Sequence, residues 1–270
     1  MDSTFLLHKP VIYGSDLGNS AFLMILVFHL VGAVVSPLAA IAAFRSRKGD
    51  QVHRHAGRIF AVSMATVAFS GLLLDAVRLL FFVEENHQKY AGYTMPSSYP
   101  ARLAFVYAGI CVIYLLREAS PPRVFRSSLD SGSLRVSRAA LVIVGLLIGA
   151  FIMIRLNPWT GSLWMIGTFV LMIMLVSSLQ SRSHQMPSQG LAIHRTGMSC
   201  IAAFCWWGAL QGFAPALLIS IRGDDVSTTA YVGNQPGPFT VDFFVFLLAW
   251  APFVFLAMHL MRRSEHAESR

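Results

Sequence analysis

The chain has 270 residues and a formal net charge of +8, and 55% of its residues are hydrophobic while only 13% are charged. Soluble domains usually carry about 25% charged residues, so this composition, with a mean hydropathy of +0.60, indicates an integral membrane protein. The basic residues cluster at the ends of apolar segments, which excludes nucleic acid as a partner and suggests contact with membrane lipids. Three cysteines, Cys111, Cys200 and Cys205, lie within apolar runs and are interpreted as buried thiols.

Seven apolar segments are long enough to span a bilayer, which predicts an all-α, polytopic transmembrane helical bundle. In chain order they cover Ser20–Phe44, Ile59–Val83, Leu103–Leu116, Ala139–Ile154, Ser162–Leu179, Met198–Ile221 and Phe243–Met261. The third and fourth are short, so we expect their helices to extend into flanking residues or to lie in locally thinned bilayer. Small residues in the fourth span, such as Gly145, Gly149 and Ala150, are expected to permit close helix approach. We assign residues 1–270 to a single membrane domain.

The distribution of Lys and Arg predicts the orientation. In a seven-span topology, residues 45–58, 117–138, 180–197 and the tail from Arg262 lie on one side and hold 15 of the 21 basic residues. The other side holds five, and Arg78 lies inside a span. The positive-inside rule then places the N-terminus outside and the C-terminus in the cytoplasm. We expect a multi-pass protein of the cell membrane, the inner membrane in a bacterium, without a cleavable signal peptide.

A short motif occurs twice at predicted cytoplasmic helix starts. It reads Gly-x-x-x-His-Arg, precedes the second and the sixth span, and is followed by a glycine 18 residues after the histidine. The first copy contains Gly49, His53, Arg54 and Gly71, and the second contains Gly190, His194, Arg195 and Gly212. The constant offset of 141 predicts a parallel internal repeat of residues 20–83 and 162–221. We interpret the motif as fixing both helix starts at the lipid headgroups.

The same motifs resemble those of the domain-of-unknown-function 2306 family of bacterial multi-pass membrane proteins. Lys48-Gly49, His53-Arg54 and Gly57 match that family's first motif, and His194-Arg195 with Met198 match its second. The family's second motif continues with aromatic and basic residues, where this chain has Thr196-Gly197. The resemblance implies a helical bundle and no established activity.

Histidines near the predicted inner face are candidate haem ligands. A b-haem needs two axial imidazoles on different helices at similar depth, and His53 with His194, or either with His259, can satisfy this. Arg54 and Arg195 could then pair with the haem propionates. In the alternative interpretation the arginines reach lipid phosphate and each histidine binds a loop carbonyl. Haem b is the one cofactor that we consider.

A second group of polar residues lies deeper, toward the predicted outer side. His29 in the first span and Asp75 in the second lie at similar depth, with Arg78 one turn further out and Gln211 of the sixth span at a comparable level. Ionisable groups in a membrane usually face the bundle interior and are functional by default. The two alternatives are a polar pocket for a proton, an anion or a small ligand, and a closed network that pins two helices.

Three functions are compatible with these patterns. The first is a non-enzymatic carrier or sensor for a proton or small molecule, which uses the pocket of His29, Asp75, Arg78 and Gln211. The second is a membrane redox protein that binds haem or quinone near His53 and His194. The third is an accessory subunit, packed against partner membrane subunits or against copies of itself. No catalytic residues are predicted, and the sequence contains no Gly-rich phosphate-binding loop.

Overall fold

The computed structural model describes residues 16–81, 98–119, 131–155, 160–183 and 189–222. Within these ranges the chain forms six α-helices and no strand, and each of the first six predicted apolar segments overlaps one helix. The helices are α1 (Asp16–Arg45), α2 (Gln51–Phe81), α3 (Ser98–Ala119), α4 (Ser131–Arg155), α5 (Thr160–Ser183) and α6 (Gln189–Arg222). The predicted seventh span, Phe243–Met261, lies outside the described residues.

Three helical segments of the described chain are long and apolar enough to cross a membrane by length and composition: Ser20–Arg45, Gln51–Val77 and Val136–Arg155. A shorter apolar helical segment covers Ser162–Ser177. These segments support a membrane protein with an all-helical architecture.

The helices of the two short predicted spans are longer than their apolar cores. Helix α3 has 22 residues and α4 has 25, which corresponds to about 33 Å and 38 Å at 1.5 Å per residue. Both exceed the hydrocarbon thickness of about 30 Å. The expectation that these helices extend into flanking residues is confirmed.

Four of the helices form a closed ring. Helix α1 packs against α2 and α6, and α3 packs against the same two helices, so the order around the ring is α1–α2–α3–α6. Helix α5 packs outside this ring on α3 and α6, and α4 packs on α5 and α3. Helix α3 therefore contacts α2, α4, α5 and α6, which makes it the central helix of the described bundle.

The burial of side chains follows from this arrangement. Ala104, Tyr107, Cys111 and Leu115 of α3 are each fully buried. By contrast, α1 and α4 expose long rows of large apolar side chains, such as Leu38 of α1 and Ile154 of α4. In water such surfaces are unfavourable, whereas a lipid environment accepts them because lipid tails are as apolar as the side chains.

Candidate functional sites at the two ends of the bundle

The polar residues of interest lie at opposite ends of the bundle. One end holds the last turn of α1, the first turns of α2 and α6 and the last turn of α3, and we call it the histidine end because His53 and His194 lie there. The other holds the last part of α2 and the first turn of α3, and we call it the ion-pair end because Asp75 and Arg102 meet there.

At the histidine end, a tight loop joins α1 to α2. Gly49 has a φ of 85°, in the left-handed region that glycine adopts without steric cost. Asp50 follows and caps α2: its Oδ1 accepts a hydrogen bond of 2.6 Å from the backbone N–H of His53. The first copy of the motif therefore combines a reversal of the chain with a helix start.

The imidazole of His53 fixes the end of α1 to the start of α2. Its Nδ1 lies 2.9 Å from the backbone oxygen of Ala43. Ser46 Oγ at 3.0 Å and Lys48 Nζ at 3.4 Å donate to the same oxygen. The last carbonyls of a helix lack hydrogen-bond donors within the helix. The carbonyl of Ala43 instead accepts hydrogen bonds from three side chains, two in the loop and one in α2.

His194 makes a contact of the same kind with a different helix. Its Nδ1 donates to the backbone oxygen of Ala119, the last residue of α3, at 2.5 Å. Each motif histidine thus binds a carbonyl at the C-terminal end of a neighbouring helix. The alternative to haem binding expected a loop carbonyl as partner, whereas both carbonyls belong to the last turns of helices.

The two hydrogen bonds also define the tautomer of the neutral imidazoles. A carbonyl oxygen only accepts hydrogen bonds, so Nδ1 carries the proton in both His53 and His194 and Nε2 is the acceptor nitrogen. Histidine ligands of metals commonly show this arrangement, in which one ring nitrogen donates to a carbonyl and the other binds the metal. Arg54 and Arg195 next to them are exposed.

The two copies of the motif differ in local structure. Gly49 lies in the loop before α2, whereas Gly190 is the second residue of α6. Asp50 caps α2, and the position 141 residues later is occupied by Leu191, whose side chain lacks an acceptor. His53 binds the helix that precedes its own, whereas His194 binds α3 and not the preceding α5. The shared histidine contact therefore does not depend on an internal repeat, which stays a prediction.

At the ion-pair end, Asp75 of α2 pairs with Arg102 of α3. The Nη1 of Arg102 lies 2.9 Å from Oδ1 of Asp75, and the two side chains are 29% and 8% exposed. From the sequence, Asp75 is expected beside Arg78, and Arg102 is one of the five basic residues on the predicted outer side. The missed signal is that Arg102 lies directly before the third predicted span, at the same end of the bundle as the last part of α2.

His29 lies in the facing part of α1. Its Nδ1 is 3.1 Å from both the backbone oxygen of Val67 and Oγ of Ser70 on α2. A Cβ added to Gly71 would lie 3.3 Å from Cε1 of His29, so this glycine gives the imidazole room against α2. Gly71 lies one turn before Asp75, so His29 and the ion pair belong to the same part of the α1–α2–α3 packing.

Three predicted site residues lie outside what the structure describes. His259 lies beyond the described ranges, and Arg78 and Gln211 lie within α2 and α6 but their side chains are not described. In the described part of the chain, no three His, Cys, Asp or Glu side chains come together as a metal-binding group.

The cysteines are buried and unpaired with one another, as expected for structural thiols. Cys111 lies in α3, and Cys200 and Cys205 lie in α6. Sγ of Cys205 lies 3.1 Å from Oγ of the fully buried Ser36 of α1. This hydrogen bond closes the ring between α1 and α6.

Comparison with known proteins gives no relative on which to base a function. No protein-family model matches the chain, and no curated protein and no solved structure matches it either. The resemblance to the domain-of-unknown-function 2306 family stays a prediction.

Proposed function

We propose that this protein is a non-enzymatic membrane carrier or sensor whose responsive element is the Asp75–Arg102 ion pair at the ion-pair end. The observation that carries the proposal is the unequal burial of the pair. The carboxylate of Asp75 is nearly buried, whereas the guanidinium that neutralises it is 29% exposed. The carboxylate of Asp75 is therefore buried, while the guanidinium that pairs with it remains accessible from the surface.

The physical basis is that the pair joins two helices and can be broken in two ways. Protonation removes the charge of Asp75, and an anion from the solution can compete for Arg102. Protonation leaves Arg102 bonded to a neutral carboxyl and so weakens the bond between α2 and α3, and a competing anion removes it. The charged hydrogen bond contributes about 1.5–3 kcal/mol. That energy is large enough to change the packing of α3, the helix at the centre of the bundle.

Cys111 supplies a native reporter for this change. It is fully buried on α3, nine residues after Arg102. Cys111 lies on the face of α3 opposite Arg102, beside Tyr107. We expect N-ethylmaleimide to label Cys111 several-fold faster in Asp75→Asn than in the unmodified protein at the same pH, because α3 then moves more often against the helices that cover this thiol. Ser63→Ala, which removes a side chain that donates to Phe60 of its own helix, is the matched control. Equal labelling in all three proteins would show that the ion pair only stabilises the packing of α2 against α3.

Proton movement distinguishes a carrier from a sensor. In proteoliposomes that contain a pH-sensitive dye, a carrier should acidify the lumen after an external acid pulse, and Asp75→Asn should abolish this. A sensor should show pH-dependent labelling of Cys111 without proton flux. If neither response occurs in protein of normal thermal stability, the proposal is wrong.

A second candidate function is a membrane redox protein that holds b-haem. His53 and His194 both donate Nδ1–H to a helix-terminal carbonyl, which is compatible with a ligand role for Nε2 and is equally the contact of a helix cap. The test is an absorption spectrum of detergent-purified protein expressed with added haem, before and after dithionite. A Soret band with reduced α and β bands, lost in His53→Ala or His194→Ala, would favour this function over the first. A featureless spectrum from folded protein would eliminate it.

A further inference from the structure

A groove between α1 and α2 opens at the histidine end. Its volume is about 690 Å³, within the usual range of 300–1,000 Å³ for small-molecule sites. Val35, Leu38 and Ala42 of α1 and Gln51, His55 and Ile59 of α2 lie along its walls. None of these residues has a role in the proposed function.

The groove changes in polarity along its length. Gln51 and His55 lie in the first turns of α2, next to the loop, whereas Val35 and Leu38 of α1 and Ile59 of α2 lie further into the bundle. Leu38 is 61% exposed although it lies within an apolar candidate span. The groove therefore has a polar mouth at the helix ends and an apolar wall that faces the surroundings of the bundle.

Exposed arginines neighbour the wall residues at the mouth of the groove in sequence, although none of them lines the groove itself. Arg54 directly precedes His55, Arg58 lies one turn beyond it, and both are exposed. Exposed Arg45 and Arg47 belong to the adjoining end of α1 and the loop. Asp50 is the one acidic residue between positions 45 and 58, and it is bound to the backbone N–H of His53. An anion at the mouth meets several cations and little repulsion.

A second groove between the same helices provides a comparison. It has a volume of about 400 Å³ and is lined by residues such as Ile25, Phe28, Val62 and Phe69. The side chains that line it include Thr66 and Ser70 but no ionisable group. This second groove fits an acyl chain of any lipid. The groove at the histidine end also lies beside arginines, which favour a lipid with an anionic headgroup.

We propose that the groove at the histidine end binds one anionic phospholipid. The phosphate lies at the mouth, between Gln51, His55, Arg54 and Arg58, and one acyl chain lies along Val35, Leu38 and Ile59. The attraction of each arginine near a membrane surface is sufficient to select an anionic over a zwitterionic headgroup. The site holds the α1–α2 loop at the predicted cytoplasmic surface.

The proposal is tested by lipid titration of the delipidated full-length protein in detergent, with the melting temperature as readout. Dioleoyl-phosphatidylglycerol should raise the melting temperature, and dioleoyl-phosphatidylcholine should raise it much less. The double variant R54Q/R58Q should weaken the apparent affinity for phosphatidylglycerol about tenfold or more. Ala42→Leu, at an exposed position in the groove wall, should weaken it by filling the space for the acyl chain.

Two variants serve as matched controls. Arg195→Gln removes an exposed arginine at the same end of the bundle but away from the groove, and Thr66→Leu fills the second groove. Both should leave the affinity unchanged. Equal stabilisation by the two lipids, or equal loss of affinity in Arg195→Gln, would overturn the proposal. Stabilisation by soluble glycerol phosphate, or by decylubiquinone in place of the lipid, would also overturn it.

Discussion

At the scale of single residues, the polar side chains of this protein mainly supply hydrogen-bond partners to backbone groups at helix ends. His53 and His194 bind the carbonyls of Ala43 and Ala119, which have no partner within their own helices. An unsatisfied carbonyl costs free energy wherever water is scarce. The duplicated His-Arg motif is explained at this scale by two helix ends that each need a donor.

The two histidines are expected to contribute unequally to stability. In His194→Ala the carbonyl of Ala119 loses the donor that the structure shows, which should lower the free energy of unfolding by about 1–3 kcal/mol. In His53→Ala the loss should be smaller, because Ser46 and Lys48 still donate to Ala43.

Thermal unfolding in detergent measures this difference, and Arg195→Gln controls for the loss of a polar side chain at the same helix end. A larger effect for His53→Ala than for His194→Ala would contradict the cap assignment.

At the scale of helices, close approach to α3 depends on small residues in its neighbours. Gly145 of α4 faces Tyr107 of α3, whose hydroxyl donates to the backbone oxygen of Leu141 at 3.0 Å. A Cβ at position 145 would overlap that hydroxyl and would lie 2.9 Å from Cγ2 of Val170. The prediction from sequence that Gly145 permits close helix approach is confirmed by these contacts.

Gly145→Ala should therefore destabilise the protein by about 1–3 kcal/mol, because Tyr107 is fully buried and has no space to move. Gly167→Ala in α5 is the matched control, since no heavy atom lies within 4 Å of its added Cβ. That control should be neutral or stabilising by up to about 1 kcal/mol. Melting temperatures of the two variants provide the measurement. Tyr107→Phe should partly rescue Gly145→Ala, and equal melting temperatures for the two alanine variants would refute the contact.

At the scale of the whole molecule, the closed ring α1–α2–α3–α6 brings together helices that are far apart in sequence. Ser36 and Cys205 are 169 residues apart and in hydrogen-bond contact at 3.1 Å. The ion pair closes the α2–α3 side of the ring, and His194 closes the α3–α6 side.

The ring predicts a specific disulfide. Ser36→Cys should form a bond with native Cys205 under mild oxidation, because the side-chain atoms at these positions are already adjacent. Peptide mass mapping under non-reducing conditions identifies the pair, and Ser36→Cys combined with Cys205→Ser is the control that should form no bond at this site. Linkage of the introduced thiol to Cys111 or Cys200 instead would show that α1 does not lie beside α6 at this level.

The candidate sites show which contacts can be predicted from sequence motifs and from the depth of each residue along its helix. Counting residues along each helix placed His29 and Asp75 at similar depth. In the structure His29 of α1 contacts Val67 of α2, and Asp75 of α2 pairs with Arg102 of α3. Counting did not identify Arg102 as the partner of Asp75, because a depth count has no information on which helices are adjacent. Ser70 was missed for the same reason: a serine in an apolar run has no signal until His29 is known to face it.

The sequence by itself determined the membrane character, the all-helical class and the positions of six helices, because these depend on local hydropathy and on the backbone's need for internal hydrogen bonds in lipid. It also identified both motif histidines, because their spacing is visible in one dimension. The tertiary structure alone decided which helices are neighbours, and with them the Asp75–Arg102 pair, the carbonyl partners of the histidines and the groove beside Arg54 and Arg58. The physical reason is that apolar helices are nearly interchangeable in hydropathy, so their order is set by a few specific contacts between distant residues.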